Sequence, residues 1–116
     1  MAEPRQSAST TTERFPAGAT IFSAGERADC MYIVQDGVVD CLVGERVINT
    51  VGPGGILGEM ALINHQPRSA TARAKYDCEL KRMDEATFMA AVRSNPAFAL
   101  EVMRTLADRL RRQTAT

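Results

Sequence analysis

The chain of 116 residues has one histidine, His65, and three cysteines, Cys30, Cys41 and Cys78. One histidine is too few for a metal centre of the kind small double-sheet barrel enzymes carry, and no cysteine pair has zinc or iron–sulfur spacing. An odd cysteine count excludes a complete disulfide framework, and each cysteine stands among apolar or strand-forming residues, where a free thiol acts as a small hydrophobe. Such usage points to a reducing cytoplasm. Formal net charge is zero, so no global field favours nucleic acid. No run of about 18 apolar residues and no secretory signal pattern occurs, so no helix is expected to span a membrane. No serine or cysteine has a histidine at a meaningful place, so no nucleophile–base pair is visible and catalysis is not expected.

What is present amounts to one domain, 45% hydrophobic and 24% charged. Residues 1–12 are polar and aperiodic and read as a disordered lead, with a first strand near Thr11–Phe15. Glycines then recur at Gly18, Gly25, Gly37, Gly44, Gly52, Gly54 and Gly55. Between them lie short β-rich runs, Thr20–Phe22, Met31–Gln35, Val38–Val43 and Val47–Val51, the pattern of an antiparallel sandwich or barrel. In Val38–Val43, Asp40 sets a phase that sends Val38 and Leu42 to water and Val39, Cys41 and Val43 inward. Asp36-Gly37 marks a hairpin. Ser69–Lys75 and Cys78–Met83 read as further strands.

The period changes at Asp84, a good N-cap for a helix ending near Ser94. Asn95-Pro96 starts a second helix, with Pro at its first position and an apolar stripe of Ala99, Val102, Met103, Leu106 and Leu110. A basic excess at Arg104, Arg109, Arg111 and Arg112 reads as a solvated helix face.

Chemistry concentrates in Gly58-Glu59-Met60-Ala61-Leu62-Ile63-Asn64-His65-Gln66-Pro67-Arg68-Ser69-Ala70-Thr71. One carboxylate, the backbone amides of a helix start and one guanidinium fall within this stretch. Together they suit a small phosphodiester on a sugar: a carboxylate accepts from a ribose hydroxyl, while amides and an arginine meet the phosphate. The frame G-E-apolar-A-L, five residues, then R-small-A resembles the phosphate-binding cassette of the cyclic nucleotide-binding domain family. Phe15, Gly18, Ile21, Gly25, Met31-Tyr32-Ile33-Val34, Gly37 and Val39 match that family's recurring strand pattern, so the resemblance covers residues 13–112.

The resemblance implies a mainly β fold with α: a double-stranded antiparallel β-helix or jelly-roll barrel at about 13–83, a short cassette helix, and two C-terminal helices at about 84–112 of a domain spanning 13–116. It implies ligand contacts from Gly58, Glu59, Met60, Ala61, Leu62, Arg68 and Ser69. Glu59 accepts from the ribose 2′-hydroxyl and Arg68 pairs with the phosphate. Leu62 and Ile63 also read as anchors of the cassette helix. Cys41 and Ile48, with Val51 as a further candidate, floor the base. Gln113 and Thr114 fall where a relative's long helix reaches the base. Ser69 tilts the ligand from cyclic GMP toward cyclic AMP.

The leading expectation is a stand-alone cyclic nucleotide sensor without catalysis or cofactor, acting on an unknown effector protein and pairing with a second copy through the 96–112 helix. The runner-up keeps the fold and loses the ligand, as an interaction or dimerisation module. The family's transcription regulators carry a helix-turn-helix after the long helix; none follows here, so direct DNA readout is not expected. His65 reads as an exposed loop residue.

Overall fold

A computed structural model describes residues 11–114, the last two by backbone alone. Eight strands and three helices follow in the order β1 (Thr11–Phe15), β2 (Thr20–Phe22), β3 (Cys30–Asp36), β4 (Val39–Val43), β5 (Arg46–Val51), β6 (Ile56–Leu57), α1 (Met60–Asn64), β7 (Thr71–Ala74), β8 (Cys78–Asp84), α2 (Glu85–Ser94) and α3 (Ala97–Thr114). The strands form two antiparallel four-stranded sheets, ordered β1-β8-β3-β6 and β2-β7-β4-β5. This is the expected jelly-roll arrangement, drawn as a sandwich of two sheets. β1 begins inside the segment read as a disordered lead: Thr11 and Thr12 pair with Arg82 and Lys81 of β8. Residues 1–10 of that lead lie outside the described residues.

The two-residue period of β3 explains how one sheet serves two cores. Tyr32 and Val34 face the second sheet and join Phe22, Val39, Val51, Leu57, Ala72, Cys78 and Leu80 in the sandwich interior. Met31 and Ile33 face the other way, where Ile56, Leu62, Met83, Phe88, Phe98, Val102 and Leu106 fill the space beneath the helices. Met31, Val34 and Leu80 are almost wholly buried. Asp84 ends β8 and caps α2 as expected, accepting from Thr87 N at 2.8 Å. Phe88 of α2 meets Phe98 of α3 with ring centroids 5.6 Å apart, fixing how α3 returns over the sheet.

Two expectations about the strands are corrected. The alternation in β4 does not hold to its end: Leu42 is buried and Val43 exposed. The β4–β5 ladder pairs Cys41 with Asn49 and Leu42 with Val47, so Ile48 is an extra residue and the register shifts there. The strand expected over Ser69–Lys75 is shorter, with β7 running from Thr71 to Ala74, so Arg68 lies in the loop before it. Its backbone is instead pinned to the β2–β3 connection, with Arg68 N donating to Glu26 O at 2.9 Å and Gly25 N donating to Arg68 O at 2.7 Å. No described helix is long and apolar enough to cross a membrane.

Candidate functional site

The β6–α1 junction turns at Gly58, whose φ of +75° lies in the left-handed region that glycine adopts without strain. A Cβ there would stand 2.3 Å from Arg68 Nη1. Gly58 is therefore fixed twice, by its backbone and by the arginine packed on it. Glu59 follows at the N-cap of α1 but makes no side-chain cap, which leaves its carboxylate for other work. His65 ends α1 at φ +55° and is exposed, as read from sequence.

Glu59 is only 4% exposed. Its Oε2 accepts from Arg109 Nη1 of α3 at 2.7 Å. Arg109 Nη2 also donates to Ile56 O, closing a link from α3 to β6 and the cassette. Glu59 Oε1 is buried and has no hydrogen-bond partner among the described residues. A buried carboxylate oxygen left unpaired is costly, so its presence marks a place where a donor belongs.

Arg68 shows the complementary state. It is 8% exposed, yet no carboxylate lies within ion-pairing distance among the described residues. Its guanidinium lies 4.0 Å over the Phe22 ring and 6.0 Å from the Tyr32 ring. Nη1 donates to Gly58 O at 3.1 Å, and Nη2 approaches Cys30 Sγ at 3.5 Å. Aromatic faces and a carbonyl soften the burial of a cation without neutralising it. Its fork is thus held ready for an anion, and a phosphate accepts it with two oxygens.

Both residues open onto one cavity of about 970 Å³. One wall carries Gly58, Glu59, Met60, Ala61, Arg68 and Ser69, and the other Cys41, Ile48 and Asn49 from β4 and β5. Leu106, Arg109 and Leu110 of α3 close the side. Burial pushes the Cys41 thiol above its ordinary range, so near neutral pH it is protonated and presents a small apolar surface.

Most residues named from sequence therefore meet here, with four adjustments. Leu62 is buried in the core beneath the helices, the anchor it was read as, and does not line the cavity, whereas Ile63 is half exposed, lines the cavity and is no anchor. Val51 belongs to the sandwich interior. The Ala61 amide donates to Gly58 O at 3.2 Å, so it is engaged within the turn. Arg109 is no solvated-face residue; it is the partner of Glu59. A signal for it was present, because it follows Leu106 by three residues and so shares the inward face of α3. Asn49 was also missed. The reading of Gln113 and Thr114 concerns side chains outside the described residues. No group of three or more His, Cys, Asp or Glu suited to a metal ion occurs among the described residues.

Comparison with known proteins adds an independent line. The family model for the cyclic nucleotide-binding domain matches residues 12–95. A cAMP-dependent protein kinase regulatory subunit from Eremothecium gossypii is 44% identical over 71 residues, 61% of this chain and 16% of that protein. The crystal structure of the Thermus thermophilus catabolite activator protein superposes with a TM-score of 0.79 at 33% identity, over 90% of this chain and 51% of that one. The regulatory domain of Toxoplasma gondii PKA, solved with cAMP, gives a TM-score of 0.64 at 35% identity, over 70% of this chain and 33% of that one. The chain thus spans less than a fifth of the curated kinase subunit and about half of the activator.

Proposed function

The chain belongs to the cyclic nucleotide-binding domain family, and from that premise we propose that it binds cyclic AMP in the cavity between the cassette and α3. The observation that carries this reading is the pair of uncompensated buried groups, Glu59 Oε1 and the Arg68 guanidinium, on one cavity wall. A ribose 2′-hydroxyl supplies the donor that Oε1 lacks. The cyclic phosphate supplies the anion that Arg68 lacks. Ser69, exposed beside Arg68, adds a hydroxyl donor for a phosphate oxygen. Cys41, Ile48, Leu106 and Leu110 offer the base an apolar slot. The cyclic AMP bound by the Toxoplasma gondii relative supports the choice of ligand. Cyclic GMP is the competing base.

The role is sensing without catalysis. Ligand contacts at Glu59 reach α3 through Arg109, so occupancy biases where α3 sits against the sheet. The apolar residues Leu100 and Met103, which α3 leaves exposed away from the cavity lining, suit contact with an effector protein or a second copy of the chain.

Thermal melts with cyclic AMP and cyclic GMP test the reading. A ligand present at a hundredfold excess over its dissociation constant stabilises the fold by about 2.7 kcal/mol. Cyclic AMP is expected to give that shift, with gel filtration in parallel reporting any change in assembly. No shift with either nucleotide favours an interaction or dimerisation module built on the same fold.

A further inference from the structure

Asn49 faces the cavity by the ordinary alternation of β5, opposite Cys41 and two residues from the inward Val51, and a β-bulge brings Ile48 in beside it. The β4–β5 ladder pairs Cys41 with Asn49 and Leu42 with Val47, which leaves Ile48 as the extra residue of a β-bulge. In a regular strand, neighbours point to opposite faces. Here both Ile48 and Asn49 line the cavity. Bulges re-aim side chains in this way beside functional sites.

The polar groups of the cavity then divide. Glu59, Arg68 and Ser69 stand on the wall that meets sugar and phosphate. Of the rest, Arg46, Gln66 and Arg112 are exposed, Arg109 is committed to Glu59 and Ile56 O, and Asn49 is half-buried on the strand pair that carries Cys41 and Ile48. Its side-chain amide has no hydrogen bond to any described residue that would occupy it. An amide of this kind presents one acceptor and one donor side by side. On its N7 edge adenine presents the complementary set, the 6-amino donor next to the N7 acceptor, whereas the same edge of guanine shows two acceptors, O6 and N7. We propose that Asn49, facing inward opposite Cys41, reads the 6-amino and N7 edge of the base and selects adenine. This rests on the cyclic nucleotide reading and deepens it.

The experiment compares the full chain with Asn49→Ala and Asn49→Leu by calorimetry. β5 is an edge strand, so either change leaves the sheet pairing in place. The ligands are cyclic AMP, its analogue with hydrogen in place of the 6-amino group, and 2′-deoxy cyclic AMP. The parent is expected to prefer cyclic AMP over the 6-hydrogen analogue by about tenfold, the size of one good amide–base pair. Both variants are expected to bring that ratio to within about twofold while keeping their discrimination against the 2′-deoxy ligand, which depends on Glu59. Variants that keep the parent's ratio overturn the assignment of Asn49 and leave the cyclic nucleotide reading standing. A parent that binds cyclic AMP and the 6-hydrogen analogue equally overturns it without any variant. A parent that binds none of the three overturns both readings.

Discussion

Arg109 Nη1 lies 2.7 Å from Glu59 Oε2, across fifty residues of chain, and leaves Oε1 of the same carboxylate unpaired. The helix that covers the cavity therefore holds the group that meets the ligand. Removing the arginine strands a buried carboxylate, and because Arg109 itself keeps 23% of its side-chain surface the cost is less than for a fully buried pair. Arg109→Met is expected to destabilise the unliganded chain by about 2 kcal/mol in urea unfolding. In a Glu59→Gln background the same change is expected to cost clearly less, as coupling requires. Equal costs in the two backgrounds indicate that Arg109 acts through packing alone.

Substitutions at Arg68 separate binding from folding. Arg68→Lys keeps the charge and loses the fork, so cyclic AMP binding is expected to weaken by about 2–3 kcal/mol in calorimetry. Arg68→Met removes a buried cation that has no carboxylate partner among the described residues. Its melting in the absence of ligand is expected to stay within about 1 kcal/mol of the parent, because relief of the buried charge offsets the lost contacts. A lysine variant that binds like the parent contradicts the phosphate assignment.

Much of this was legible in the sequence, for physical reasons that differ by element. Glycine-punctuated strands, the Asp84 cap and the Asn95-Pro96 restart are local signals, and the structure has β1 to β5, α2 and α3 at or near the expected places. β6, at two residues, is too short to show a period. The phase of β4 failed at Leu42 because the bulge opposite it depends on pairing, which one strand's pattern does not contain. Glu59 and Arg68 were visible because the cassette packs them within ten residues. Arg109, although it follows Leu106 by three residues, and Asn49 were not assigned to the site, because each reaches it through the tertiary fold.

Asp84 gives a pH dependence. The hydrogen bond from the Thr87 amide, helped by the Thr87 side chain, holds its carboxyl below the ordinary carboxylate value. The unfolded chain takes up the proton first as pH falls. The stabilisation is therefore complete above the ordinary carboxylate range and is lost as pH drops through the folded value. Asp84→Ala is expected to cost about 1 kcal/mol near neutral pH, the usual size of an N-cap, and progressively less in acid. Chemical denaturation of parent and variant across that range measures the difference; a cost that does not change with pH argues against the charged cap.

Glu59 Oε1, buried and unpaired among the described residues, is the acceptor for a ribose hydroxyl in the proposed complex. Calorimetric titration of the unmodified chain with cyclic AMP and with 2′-deoxy cyclic AMP tests it most directly. One cyclic AMP is expected to bind per chain, and the 2′-deoxy ligand to bind more weakly by about 1–3 kcal/mol, the cost of leaving that buried oxygen unpaired. Equal affinity for the two ligands would contradict it.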